Sequence, residues 1–251
     1  MSYAILFDTT RCVGCESCVE ACVEKNNLPE DAGPQLSAHR FTRVVSLMDD
    51  EVFIRQMCMH CEDPSCVSVC PVTAFEKTSE GPVVYHPDRC MGCRYCMVAC
   101  PFDVPKYEWN KSIPVVKKCQ MCYDRVKIGQ LPACVEACPA EATVFGKRED
   151  LLEEARKRIK ENPDTYYPHI YGEKEAGGTS VLFISQYPPE QLGLKTKKFH
   201  EAFPKYTWKV MKEIPNVVSV GGVFLYGLYW IINRRDEVAR VTKEGGNENE
   251  N

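Results

Sequence analysis

The hydrophobic pattern is clearest in the second half of the chain. From Glu149 to Asn162 the body reads DLLEEARKRIKEN, which places Leu151, Leu152, Ala155 and Ile159 on one face at helical spacing. We read an amphipathic surface helix, closed by Pro163 and Pro168. Thr179 to Ser185 is a short apolar run rich in β-branched and aromatic residues and predicts a strand. Pro215 to Ile232, PNVVSVGGVFLYGLYWII, has 18 residues and no charge. That is the lower limit for a helix to cross a bilayer. Trp208, Tyr226, Tyr229 and Trp230 lie where interfacial aromatics belong, and Gly221, Gly222 and Gly227 would let a second helix approach closely. We read a membrane span in preference to a buried core helix. Lys205, Lys209 and Lys212 precede the span and Arg234, Arg235, Arg240 and Lys243 follow it, so the positive-inside rule nearly cancels. The final EGGNENEN is polar and expected to be disordered.

Composition changes this picture in one respect. The chain has 251 residues, a formal net charge of −4 and 16 cysteines. The charge gives no sign of a nucleic-acid surface. A disulfide scaffold is the ordinary explanation of many cysteines, but such scaffolds are usually short and secreted. The chain starts MSYAILFD, without a basic or apolar leader or twin arginine. Work outside the cytoplasm would therefore require export with a partner or a leader already removed.

The cysteines form four groups of four: Cys12, Cys15, Cys18, Cys22; Cys58, Cys61, Cys66, Cys70; Cys90, Cys93, Cys96, Cys100; and Cys119, Cys122, Cys134, Cys138. Each begins C-x-x-C, which lets one short loop place two thiolates on one metal centre with backbone N–H groups turned to the sulfurs. The first and third read C-x2-C-x2-C-x3-C, the second C-x2-C-x4-C-x3-C-P and the fourth C-x2-C-x11-C-x3-C-P. The bacterial ferredoxin run is C-x2-C-x2-C-x3-C-P, and its fourth cysteine ligates the other cluster of a pair. Pro71, Pro101 and Pro139 supply the final proline in three groups, and Val23 replaces it in the first. Zinc needs only two C-x-x-C pairs. Four complete sets point to four 4Fe–4S clusters.

The groups are of two kinds. RCVGCESCVEAC (Arg11 to Cys22) matches RCMGCRYCMVAC (Arg89 to Cys100), and PSCVSVCP (Pro64 to Pro71) matches PACVEACP (Pro132 to Pro139). The alternation suggests a duplicated two-cluster ferredoxin. CPVTAFEKTSEGPVVYHPDRC, from Cys70, has the order Cys-Pro, short helix, Gly-Pro turn, strand, next motif, so the second and third groups form one unit. Exchange of the last cysteines then gives Cys58, Cys61, Cys66 with Cys100, and Cys90, Cys93, Cys96 with Cys70. The remaining groups give Cys12, Cys15, Cys18 with Cys138, and Cys119, Cys122, Cys134 with Cys22. Spacing alone leaves open the pairing of first with second and third with fourth.

These motifs, their order and the wide fourth motif resemble the four-cluster iron–sulfur subunits of respiratory oxidoreductases. That family includes the beta subunits of membrane-bound formate dehydrogenases and the ferredoxin-like subunit of uptake nickel–iron hydrogenases. YPHIYGEKEAGGTSVLFIS (Tyr167 to Ser185) is most similar to the hydrogenase-linked members, and LPACVEACPAEATVFGKREDLLEEA (from Leu131) fits both. The resemblance implies pairing of first with fourth and second with third. It also implies a hetero-oligomer in which a catalytic subunit holding nickel–iron, or molybdenum or tungsten, feeds the clusters. An integral membrane quinone-reactive or cytochrome subunit takes the electrons, and the cluster domain is periplasmic.

The expected fold is α+β: a duplicated ferredoxin-like domain over residues 1–147, an extension over 148–204 with an amphipathic helix and a strand, a single membrane anchor over 205–233 and a polar tail over 234–251. No P-loop, no G-x-G-x-x-G after a strand and no triad order suggests bond-making chemistry, so the chain reads as non-catalytic. Gly177-Gly178 reads as a turn. The alternative is a soluble cytoplasmic polyferredoxin without a membrane partner. Arg11, Arg89, Arg94, Lys117, Lys118 and His60 lie in or beside the motifs and are candidates to tune potential, although most such charges are solvated. Tyr95 and Phe102 are expected to shield clusters.

Overall fold

The computed structural model describes residues 2–30, 32–109, 111, 115–196 and 201–247. The chain divides into two compact units, Met1–Pro204 and Lys205–Asn251.

The first unit is organised by a three-stranded sheet. β1 (Tyr3–Asp8) runs antiparallel to β8 (Thr143–Lys147) and parallel to β9 (Val181–Ile184). Side chains alternate across a strand. Ala4 and Leu6 therefore join Leu182 and Ile184 on one face, where α6 (Arg148–Glu161) covers them with Leu151, Leu152 and Ala155. Ile5 and Phe7 point the other way with Val181 and Phe183, and meet Met57, Cys58, Cys119 and Met121. Each buried Leu, Ile, Val, Phe or Met among them contributes about 1.5–3 kcal/mol. The amphipathic helix and the strand expected in the extension are present. They are built into the same unit as the cysteine loops, because β9 completes the sheet begun by β1.

The cysteine loops lie on the second face, joined by short elements. α1 (Ser17–Lys25), α2 (Ser65–Ser68), α3 (Tyr95–Ala99) and α5 (Ala133–Glu136) each contain motif cysteines. α4 (Tyr123–Val126) follows Cys122. α1 packs on α5, and α2 packs on α3. Three antiparallel hairpins connect the loops: β2 (Arg43–Leu47) with β3 (Val52–Gln56), β4 (Phe75–Lys77) with β5 (Val83–Tyr85), and β6 (Lys106–Tyr107) with β7 (Val116–Lys117). The segment after Cys70-Pro71 is thus a turn and a strand, not the short helix expected there. Phe75 pairs with Tyr85 across the hairpin, and their rings lie 4.9 Å apart. Cross-strand packing overrides the local helical preference of AFEK.

Asp8 closes β1 and fixes the entry to the first cysteine loop. Its buried carboxylate accepts from the Thr10 N–H at 3.1 Å, the Thr10 hydroxyl at 2.6 Å, the Tyr166 hydroxyl at 2.8 Å and Arg158 Nη1 at 3.2 Å.

In the second unit α8 (Ile214–Asn247) follows α7 (Phe203–Met211). This C-terminal helical segment is long and apolar enough to cross a membrane, and none of its apolar window is buried. α8 continues past Arg234 and Arg235, where the sequence reading ends the span and begins a tail. The last four residues of that tail, 248–251, lie outside the described residues.

Candidate iron–sulfur centres

The four C-x-x-C loops share one backbone feature. The residue before the second cysteine is left-handed in each: Gly14 (φ 70°), His60 (φ 47°), Gly92 (φ 74°) and Met121 (φ 55°). This conformation turns the chain back on itself within two residues, and in three of the loops its N–H meets the first sulfur. Gly92 N donates to Cys90 Sγ at 3.4 Å and Met121 N to Cys119 Sγ at 3.3 Å. The Gly14 N–H does the same at Cys12. Glycine suits this geometry at positions 14 and 92. At 60 and 121 the cost is met by burial, since His60 is 0% and Met121 1% exposed. His60 Nδ1 also accepts the Val83 N–H at 2.9 Å, which ties the second loop to β5. Ala74 N donates to Cys70 Sγ at 3.2 Å.

In the four sets that the sequence predicts, burial raises most of these thiols and neighbouring sulfurs raise them further. In the first, burial pushes Cys12 up, with Cys138 and Cys15 adding repulsion. Exposed Cys15 is instead drawn down by the Ser17 hydroxyl. In the second, burial pushes Cys22 up to about 12, and Cys134 and Cys122 reinforce it. Cys119 is raised well above the thiol range by burial, then by Cys22, Cys58 and Cys134. In the third, burial raises Cys61, and Cys58, Cys100 and Cys66 add to it. In the fourth, burial takes Cys96 up to about 12, with Cys90, Cys93 and Cys70 behind it. Electrostatic influence also crosses between these sets: Cys134 raises Cys18, Cys58 raises Cys119 and Cys96 raises Cys66. We name the sets by their lowest-numbered cysteine.

A closed cavity is lined by Cys22, Cys119, Cys122 and Cys134, that is, by all four thiols of one set, together with Asn26, Thr42 and Arg55. Buried thiols this close stay protonated on their own and need a multiply charged metal centre to exist as thiolates. Among the described residues no three His, Cys, Asp or Glu side chains gather tightly enough for a single ion. A cubane interposes its own irons and sulfides and holds its thiolates farther apart than one zinc ion would. Donor type, cavity and N–H orientation therefore fit 4Fe–4S clusters.

The candidate tuning residues separate. Arg11, Arg89 and Arg94 are exposed. The Arg94 guanidinium lies 5.5 Å from the Tyr107 ring centroid and 5.2 Å from that of Trp109. Lys117 pairs with Glu108 at 3.0 Å. Burial holds His60 well below its ordinary value, aided by Lys118 and Lys77, so it is neutral and no cation. Lys118 is buried, and its Nζ donates to the Val83 and Cys119 carbonyls at 2.5 and 2.8 Å. Phe102 packs on the core, whereas Tyr95 is 64% exposed and shields little. Arg55 was missed by sequence reasoning. It carries no motif, and its one sign is a charged residue inside the otherwise strand-like VFIRQ.

Comparison with known proteins agrees with this chemistry. A family model described as a 4Fe-4S dicluster domain matches residues 50–148. The hydrogenase-2 operon protein HybA of Escherichia coli O157:H7 is 42% identical over 240 residues, covering 77% of this chain and 73% of that protein. The iron–sulfur subunit of the nitrate-inducible formate dehydrogenase of Escherichia coli K12 is 36% identical over 200 residues, covering 72% and 67%. A protein of Nitratidesulfovibrio vulgaris Hildenborough is 40% identical over 256 residues, covering 95% and 69%. The chain belongs to this family of 4Fe–4S ferredoxin-like respiratory subunits.

Proposed function

We propose that the chain is a non-catalytic electron-transfer subunit holding four 4Fe–4S clusters. The observation that carries this reading is the enclosure of one cavity by Cys22, Cys119, Cys122 and Cys134, thiols drawn from the first and fourth motifs. The proposed ligands are Cys12, Cys15, Cys18 and Cys138; Cys22, Cys119, Cys122 and Cys134; Cys58, Cys61, Cys66 and Cys100; and Cys70, Cys90, Cys93 and Cys96. The packing of α1 on α5 and of α2 on α3 supports the same pairing. It also supports a duplicated ferredoxin, with the unit of the second and third motifs inserted between the first and fourth.

A 4Fe–4S cluster supplies a one-electron couple whose potential follows local charge, hydrogen bonds to sulfur and burial. The chain's residues fix those variables. Left-handed loop residues aim N–H groups at sulfur, and the apolar core around Met57, Met59 and Met121 keeps water away. The electrostatic influences between sets favour the order Cys12 set, Cys22 set, Cys58 set, Cys70 set. Exposed Cys15 and Cys93 mark the two ends of this path.

The named relatives support a catalytic partner of hydrogenase or formate dehydrogenase type at one end. At the other end we place an integral membrane quinone-reactive or cytochrome subunit. Residues 205–233 anchor the chain, and the cluster domain lies on the periplasmic side, exported with its partner. Reductive titration of the complex, followed by electron paramagnetic resonance, tests the role. Four one-electron couples per chain, reoxidised by a quinone analogue in membranes, are expected. Failure to take up electrons would refute it.

A further inference from the structure

Arg55 lines the cavity of Cys22, Cys119, Cys122 and Cys134. It lies on β3, where alternate residues share a face, so it points the same way as Phe53, whose ring lies against Gly14 of the first loop. The residue is 2% exposed. Its Nε donates to the Thr42 hydroxyl at 2.9 Å, and its Nη1 is buried with no hydrogen-bond partner. Among the described residues Arg55 forms no ion pair with a carboxylate, and the sulfurs of Cys134, Cys18 and Cys119 are the acidic groups that act on it most.

A buried guanidinium without a counter-ion costs several kcal/mol, and arginine cannot shed its proton to escape that cost. As neutral thiols its neighbours would leave the charge uncompensated. As thiolate ligands of anionic clusters they would compensate it. We propose that Arg55 is the counter-charge shared by the clusters of the Cys12 and Cys22 sets, raising the reduction potentials of both. The inference rests on the cluster reading above. In each couple one electron arrives from the neighbouring redox centre, no bond breaks and no proton moves. The site gains one negative charge, and a fixed positive charge stabilises the reduced form more than the oxidised one. Because the guanidinium does not titrate, the shift does not depend on pH over the working range.

The test is a potentiometric titration of the intact complex, followed by electron paramagnetic resonance, with iron measured on the same samples. In Arg55→Gln, which keeps a hydrogen-bond donor and drops the charge, two of the four couples are expected to move to lower potential. The oxidised-to-reduced ratio at fixed potential should rise at least tenfold, about 59 mV for a one-electron couple. Arg55→Lys should stay near wild type. Arg55→Gln with full iron and four unmoved couples would overturn the proposal, as would equal shifts in Arg55→Gln and Arg55→Lys. If removing the charge prevents assembly, full iron in Arg55→Lys but not in Arg55→Gln or Arg55→Met supports a required charge. Equal loss in all three variants overturns it. Wild-type protein with far fewer than about sixteen irons would instead refute the cluster reading itself.

Discussion

Gly14 lies against one edge of the Phe53 ring, and a Cβ added at Gly14 would collide with Phe53 Cε1. The backbone there is left-handed as well, at φ 70°. Gly14→Ala therefore faces about 1–3 kcal/mol of backbone strain and about 1–3 kcal/mol of overpacking. We expect it to lose the iron of one cluster, about four atoms per chain. Gly92→Ala has the same backbone problem but meets only the Tyr107 hydroxyl, at 2.9 Å, at the movable end of a side chain. It should retain more iron than Gly14→Ala, and iron analysis of the two variants checks the ranking.

The crossed pairing makes a prediction about matching signals. Cys138→Ser and Cys15→Ser should disturb the same paramagnetic signal, although the residues belong to different motifs. Cys138→Ser and Cys122→Ser should disturb different ones, although they share a motif. The reverse pattern in the spectra of the reduced variants would assign each cluster to a single motif.

Asp8 is the structural anchor of the first loop. Its carboxylate is buried and pairs with Arg158 at 3.2 Å. Asp8→Ala removes the acceptor shared by Thr10, Tyr166 and Arg158, leaves Arg158 paired with Glu154 alone, and should cost about 3 kcal/mol. Tyr166→Phe removes one hydrogen bond and should cost about 0.5–1.5 kcal/mol. Thermal unfolding of the two variants in the intact complex should show the first far below wild type and the second slightly below.

Ending the chain before Pro215 removes α8, which includes the apolar segment long enough to span a bilayer. The shortened protein should leave the membrane fraction on washing, with its iron content unchanged, because all sixteen cysteines precede it. Iron assay of soluble and membrane fractions checks this. Continued tight attachment would place the anchor in a partner.

The chemistry was legible because cysteine spacing is a local signal, and so were α6 and β9, whose periodicity is strong. Other features were hidden for physical reasons. The left-handed residues at His60 and Met121 carry no glycine to announce them, and burial holds them in place. YAILFD carries no turn signal or alternation to mark its place, yet its continuous apolar run builds β1, buried on both faces at the centre of the sheet. Arg55 escaped because a charge within a strand normally marks the solvent face. Only the folded hairpin, with Val44 opposite Arg55, shows which face is buried.

The most direct test of the central claim is metal and acid-labile sulfide analysis of the complex, purified without oxygen through this subunit. About sixteen irons and as many sulfides per copy of the chain are predicted, beyond the partners' share. Accompanying nickel would indicate a hydrogenase, and molybdenum or tungsten a formate dehydrogenase or relative. Zinc in place of iron would contradict the electron-transfer reading altogether.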